Sequence, residues 1–189
     1  MIKLHLGCGR DYKEGWINVD FNKDVKADIY CDISKKLPFK NNYVDEVLMD
    51  NVLEHVKRDR LLLFIDDLYR VCKNGAKIRI YVPHFTATAA FKHLTHYNFF
   101  GVTSFGIMEA KNKSGINVSG ERYNKSKFNI LQERLMILSR ISDNFGFLNK
   151  FASIFDWFFN LGGLRWKLFW EKFNIFGFEE IYYKLEFVK

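Results

Sequence analysis

Cysteine is scarce in this sequence, with three in 189 residues, and no two are close in the chain. Cys8, Cys31 and Cys72 lie in or beside apolar runs, so they read as buried thiols in a reducing compartment rather than a disulfide frame. CxxC is absent and no cysteine clusters with a histidine, so no metal is expected, although His93 and His96 are three apart. Long apolar runs are missing too. The longest charge-free stretch of the aromatic C-terminal third, Trp157 to Leu164, falls far short of the roughly 20 residues a membrane span needs. No basic segment followed by an apolar one opens the chain, so no signal peptide is read. The expected location is cytoplasmic, at most peripheral to a membrane.

What is present fits one domain over residues 1–189. Hydrophobic residues make up 48% of the chain, enough for a proper core and too many for disorder. The net charge of +7 is unevenly spread, with 15 basic against 13 acidic residues in 1–83 and 14 against 9 in 84–189. Such an excess permits an anionic partner, but a solvated basic surface is the plainer reading.

Ile2–Leu6, Trp16–Val19, Ala27–Cys31 and Val44–Met49 are short apolar or β-branched runs, and Ala76–Val82 is a fifth, stopped by Pro83. Runs of this kind suit a parallel sheet covered on both faces. A helix is expected before the fifth run. Asp59 can cap it, Leu61, Ile65, Leu68 and Cys72 repeat at helical spacing, and Asn74-Gly75 supplies a left-handed stop. Strand, helix and strand in this order predict a doubly wound α/β fold, which binds ligands at the carboxyl ends of its strands.

The chemistry-bearing residues fall at that edge. Gly7 and Gly9 let the turn after the first run bend tightly and bring bare backbone to a ligand. Asp20 ends the second run, where such folds place a carboxylate to accept from ribose hydroxyls. Asp32 and Ile33 end the third, with an acceptor, a backbone N–H and an apolar face suited to an adenine edge. Singly each is bland; at three successive strand ends they are hard to dismiss.

With these residues in place, the chain resembles the class I S-adenosylmethionine-dependent methyltransferases. The resemblance runs through Leu4–Arg10 (LHLGCGR), Gly15–Asp20 (GWINVD), Asp32–Phe39, Val44–Val47, Val52–His55 (VLEH) and Arg70–Pro83, about the first 85 residues in family order. It implies a mainly parallel, seven-stranded Rossmann-like sheet that binds S-adenosylmethionine and releases S-adenosylhomocysteine. It further implies contacts from Gly7, Cys8 and Gly9 to the methionine end of the cofactor, from Asp20 to the ribose, and from Asp32 and Ile33 to the adenine. Asp50 and Asn51 would lie near the sulfonium. One departure is the short connection from Gly9 to the second strand, which reduces the usual crossover helix and leaves the site more open.

A nicotinamide-binding fold is the obvious rival, but its third glycine is Tyr12 here, and the acidic residue comes too early. Tyr123 and Lys127 form a Y-x-x-x-K pair that lies too far down the chain for that family and reads as accidental. For chemistry, His84 follows the fifth strand directly and is the first candidate for a base or substrate contact. His96, in HLTHYNFF, is the second, in a segment resembling the family's loop over the site. His55 and Glu54 read as backbone-orienting residues, and His93 as structural.

Residues 1–83 therefore form the cofactor half and 84–189 the substrate half. Residues 84–126 read as a loop with short helices, a mobile cover over the substrate. Phe128–Ile137 and Phe178–Val188 read as the last two strands, the latter alternating at Ile181, Tyr183, Leu185 and Phe187. Between them, residues 144–176 form a helical, aromatic-rich insertion. It packs on the sheet or joins a homodimer, or else it touches a membrane surface or lipid-linked substrate. No specific nucleic-acid signature is present. The methyl acceptor is expected to be a small molecule, glycan or lipid-linked glycan, with O-methylation preferred. Met49-Asp50-Asn51-Val52 stands where amino-methyltransferases of DNA carry N/D-P-P-Y/F. The alternative is a methyltransferase-like scaffold that holds the cofactor without turnover.

Overall fold

The computed structural model describes residues 1–110, 125–137, 146–173 and 177–189, with side chains described except over 146–152. Seven strands form one sheet: β1 (Lys3–Leu6), β2 (Ile17–Asp20), β3 (Ile29–Tyr30), β4 (Val44–Asp50), β5 (Cys72–Pro83), β6 (Phe128–Met136) and β7 (Glu180–Phe187), in the order β3-β2-β1-β4-β5-β7-β6. The first five pair in parallel, whereas β7 runs antiparallel to both β5 and β6. This is the expected α/β Rossmann-like sheet, mainly parallel with one antiparallel hairpin. Among the described residues no helix is long and apolar enough to cross a membrane.

The crossovers from β1 to β2, β2 to β3 and β3 to β4 are all loops, so the shortened first connection is one of three. The first regular helix, α1 (Arg58–Val71), joins β4 to β5. It buries Phe64, Ile65, Leu68 and Val71 against the sheet, as the helical spacing predicts. Its ends differ from expectation. Lys57, not Asp59, holds the N-cap position, with no side-chain capping bond, and Asp59 sits inside the first turn. Cys72 has extended backbone and already pairs with Val44, so the helix stops there. Asn74-Gly75 instead forms a bulge within β5. Cys72 and Lys77 face Val44 and Glu46, and the positive φ of Gly75 (78°) lets the extra residues loop out.

The core runs from Leu4, Leu6, Val47, Met49, Ile78 and Ile80 to Ile181, Tyr183, Leu185 and Phe187 of β7, whose alternation is as predicted. Each such side chain contributes about 1.5–3 kcal/mol on burial. The insertion supplies α3 (Gly146–Phe159) and α4 (Leu164–Phe173). Asn160, just after α3, accepts from the Leu135 N–H and donates to its carbonyl, and Asp156 accepts from the Ile137 N–H. The Lys167 ammonium donates to the Glu133 carbonyl. These polar groups cap the otherwise open edge of β6, and Phe159 packs into the core. Ile154, Phe155, Trp157, Leu161, Phe169 and Phe173 stay exposed on the outer face.

Candidate functional site

A cavity of about 900 Å³ opens at the carboxyl ends of the parallel strands. Gly7, Asp20, Asp32, Ile33 and Asn51 line it, so five of the expected residues from four strand ends come together there. The wall is completed by Phe21, Cys31, Ser34, Val52 and Val56, together with His55, Lys57, Arg60, Thr95 and Tyr97.

Local geometry explains how the strand tips are held. The Gly7 and Cys8 N–H groups both donate to the Val19 carbonyl, at 2.8 and 3.1 Å, carrying the β1–β2 ladder into the turn. Gly7 has φ 65°, and a Cβ there would lie 2.5 Å from Val52 Cγ2, so both backbone and packing demand glycine. Gly9 has φ 51°, and its N–H donates to Asp20 Oδ2 at 2.8 Å. Asp20 Oδ1 accepts from the Asn22 N–H at the same distance. The buried Asp20 carboxylate thus anchors the glycine turn, and each oxygen keeps a further lone pair for a ligand.

Asp32 Oδ1 accepts from the Ser34 hydroxyl and N–H at 2.7 and 2.9 Å, and the hydroxyl bond is the main cause that holds this carboxyl below its ordinary value. Asn51 sits in the left-handed region at φ 53°, a conformation asparagine tolerates better than most. Its N–H donates to the Tyr81 carbonyl and its amide to Asp50 Oδ1. Tyr12, where a dinucleotide fold would need glycine, donates its hydroxyl to Asp28 Oδ1 at 2.8 Å.

Other expected residues do not line this cavity. Cys8, Gly9 and Asp50 are not among its lining residues, although Gly9 and Asp50 bond to Asp20 and Asn51, which are. His84 is fully buried, with Nδ1 2.7 Å from Thr86 Oγ1 and Nε2 2.9 Å from Glu171 Oε1, and its ring lies between Phe85 and Phe178. His84 therefore faces the interior and not the cavity: Nε2 ties the residue after β5 to Glu171 of α4, while Nδ1 pairs locally with Thr86. Pro83-His84 ends the strand as predicted, but the insertion covers it. Tyr123, the 111–124 part of the expected cover, and 144–145 and 174–176 of the insertion lie outside the described residues.

His96 stands just outside the lining, between Thr95 and Tyr97. Its Nδ1 lies 3.1 Å from the Ala90 carbonyl, and its ring meets His55 edge-on at 4.7 Å. Burial lowers its pKa. The segment is clamped over the turn Leu53–His55, because the Tyr97 N–H donates to the Glu54 carbonyl and the Asn98 amide to those of Leu53 and Val56. Glu54 itself is 1% exposed, and neither carboxylate oxygen has a hydrogen-bond partner among the described residues. Burial pushes its carboxyl up to about 8, with Asp50 and Glu180 adding to the rise and its own N–H opposing it.

Sequence reasoning missed Phe21, Cys31, Lys57, Arg60, Thr95 and Tyr97. Phe21 and Cys31 directly follow strand ends, a signal that was available. Thr95 and Tyr97 reach the cavity only through the clamp on the 53–56 turn, which no local pattern announces.

Comparison with known proteins bears on the fold. Residues 4–80 match a family described as a methyltransferase domain. A structure described as a SAM-dependent methyltransferase from Archaeoglobus fulgidus is similar at 18% identity and a TM-score of 0.56, over 97% of this chain and 85% of that one. A structure described as an S-adenosylmethionine-dependent methyltransferase from Mesorhizobium loti is similar at 11% identity and a TM-score of 0.55, over 98% and 90%. No curated protein matches in sequence. Residues 4–80 thus match a methyltransferase-domain model, and the chain shares its overall fold with solved structures described as S-adenosylmethionine-dependent methyltransferases.

Proposed function

We propose that the protein is an S-adenosylmethionine-dependent methyltransferase acting on a hydroxyl of a small-molecule, glycan or lipid-linked acceptor. The observation that carries this reading is the convergence of Gly7, Asp20, Asp32, Ile33 and Asn51 on one cavity of about 900 Å³. The residues fit the cofactor. Gly7 has no room for a side chain against Val52, so bare backbone faces the cavity, and Asp20 retains acceptor sites on a carboxylate already fixed by two N–H groups. Asp20 would hold the ribose hydroxyls, with Ile33 and Asp32 against the adenine. The exposed ring of Phe21 sits at the rim beside Asp20, where it can cover a purine.

When bound, S-adenosylmethionine supplies a methyl group on a positively charged sulfur. The chain's contribution is to position the acceptor in line with that group, which accounts for much of the acceleration in such displacements. Asn51, at the end of β4, marks the reacting end. Lys57 and Arg60 line the acceptor side, together with His55, Thr95 and Tyr97, and suit an acceptor carrying negative charge.

Incubation with methyl-labelled S-adenosylmethionine and panels of hydroxylated metabolites, glycans and lipid-linked glycans tests the reading. Label in an O-methyl ether with release of S-adenosylhomocysteine is the expected result. Cofactor binding without transfer to any acceptor would favour a scaffold instead.

A further inference from the structure

At the acceptor end of the cavity, a second group of side chains is left unexplained by cofactor binding. Glu54, His55 and His96 each bring one ligand atom within 4.8 Å of the others. Glu54 and His55 belong to the turn after β4, and His96 comes from the clamped 93–98 segment, 41 residues further on in the chain.

Three observations point to a ligand. The first is the Glu54 carboxyl, 1% exposed with both oxygens unpartnered among the described residues. Leaving such a group unsatisfied costs about 1–3 kcal/mol or more, and buried carboxylates are ordinarily paired or coordinate metals. The second is the state of the two imidazoles. Nδ1 of His55 lies 3.2 Å from the Thr95 carbonyl, and Nδ1 of His96 lies 3.1 Å from that of Ala90. A carbonyl oxygen can only accept, so each Nδ1 carries a proton and Nε2 is the nitrogen of each ring left to ligate a metal. Metal-binding histidines are oriented in this way by backbone carbonyls. The third is the backbone clamp from Tyr97 and Asn98 to the 53–56 turn, which fixes the distant His96 against Glu54 and His55.

We propose that Glu54, His55 and His96 form a binding site for a divalent transition-metal ion of the zinc class. Two imidazole nitrogens and one carboxylate oxygen are a familiar donor set for Zn²⁺, and leave positions open for another ligand. Bonds of about 2.0–2.2 Å in a tetrahedral arrangement require donors roughly 3.3–3.6 Å apart, so the ion would draw the three inward by about an ångström. Carboxylate ligation also explains why an acidic side chain is kept in a buried place that offers it no hydrogen bond.

Of the three, His55 lines the cavity, alongside Thr95 and Tyr97, so an ion held there would border the space left for the acceptor. This part of the inference rests on the methyltransferase reading; ion binding itself does not. An acceptor hydroxyl bound there would lose its proton to solvent more readily. Its oxygen would then form a bond to the methyl carbon as the sulfur–methyl bond breaks. The electron pair of that bond goes to sulfur and leaves a neutral thioether. This supplies the activation that the buried His84 does not offer.

The full chain, stripped of metal with a chelator, can be titrated with Co²⁺ while its visible absorption is followed, and with Zn²⁺ in competition. One equivalent of Co²⁺ is expected to bind, with the intense visible bands of a low-coordinate site. His96→Ala and His55→Ala should each weaken binding at least tenfold, and Glu54→Gln likewise. Should Glu54→Gln fail to fold, the two histidine variants decide. Absence of saturable binding, or binding that survives both histidine variants unchanged, would overturn the site. S-adenosylhomocysteine binding is measured on the same samples. Cofactor binding without metal binding removes the metal site and spares the methyltransferase reading, whereas metal binding without cofactor binding does the reverse.

Discussion

Along β3, β2, β1 and β4 the chain crosses over in bare loops, 7–16, 21–28 and 31–43, and the strand tips open into a cavity. Along β5, β7 and β6 the corresponding tip is closed: His84 is sealed under Glu171 of α4, and aromatic rings fill the space around it. Phe105 meets Tyr183 edge-on at 4.8 Å, and Phe159 meets Phe178 at 5.3 Å. The difference teaches a division of labour within one sheet. Binding needs backbone and carboxylates left uncovered at the strand ends, which costs packing there. The antiparallel side offsets that cost with dense aromatic burial.

Substitutions can break this comparison, and the largest effect is expected on the packed side. Tyr183→Ala removes a fully buried ring whose hydroxyl donates to the Gly101 carbonyl. Losses of about 3–5 kcal/mol accompany such truncations, which at roughly 2–4 °C per kcal/mol lowers the unfolding midpoint by about 6–20 °C. S-adenosylhomocysteine affinity of the folded protein should hardly change. An affinity that falls in step would show the two regions to be energetically inseparable.

Gly7→Ala and Gly9→Ala sharpen the comparison within the binding side. Both impose positive φ on alanine, at a cost of about 1–3 kcal/mol each. Only at Gly7 does the new methyl strike a neighbour, Val52, whereas nothing lies within 4 Å at Gly9. Gly7→Ala should therefore lower stability more, and thermal unfolding of the pair measures the difference. Equal losses would mean that contact with Val52 matters little. His84→Gln is expected to touch binding the least: about 1–3 kcal/mol of stability is lost from disturbed buried hydrogen bonds, with cofactor affinity within twofold of the parent. A selective loss of turnover with stability intact would restore His84 to the chemistry.

The same division explains what could be read from the chain alone. Strand tips carrying Gly7, Asp20, Asp32 and Asn51 are local events, because an apolar run ends at a glycine or a carboxylate, and period-2 alternation announced β7 directly. Helix boundaries were less legible. Asn74-Gly75 looks like a helix stop, and only the pairing of Cys72 with Val44 turns it into a bulge. The burial of His84 was not legible because its partner, Glu171, lies 87 residues further on, in an insertion whose docking no local pattern specifies. Glu54 likewise reads from the sequence as a backbone-orienting residue. Its unsatisfied burial beside His96 depends on a clamp between segments about 40 residues apart.

Calorimetric titration of S-adenosylhomocysteine into the parent chain and Asp20→Ala, with NAD as the control ligand, tests the central claim most directly. The parent should bind S-adenosylhomocysteine one-to-one and NAD not at all. Loss of the carboxylate should weaken binding about 10- to 100-fold, since a hydrogen bond to a charged group contributes about 1.5–3 kcal/mol and each decade of affinity corresponds to about 1.4 kcal/mol. Binding of NAD alone, or equal S-adenosylhomocysteine affinity in parent and variant, would contradict the account.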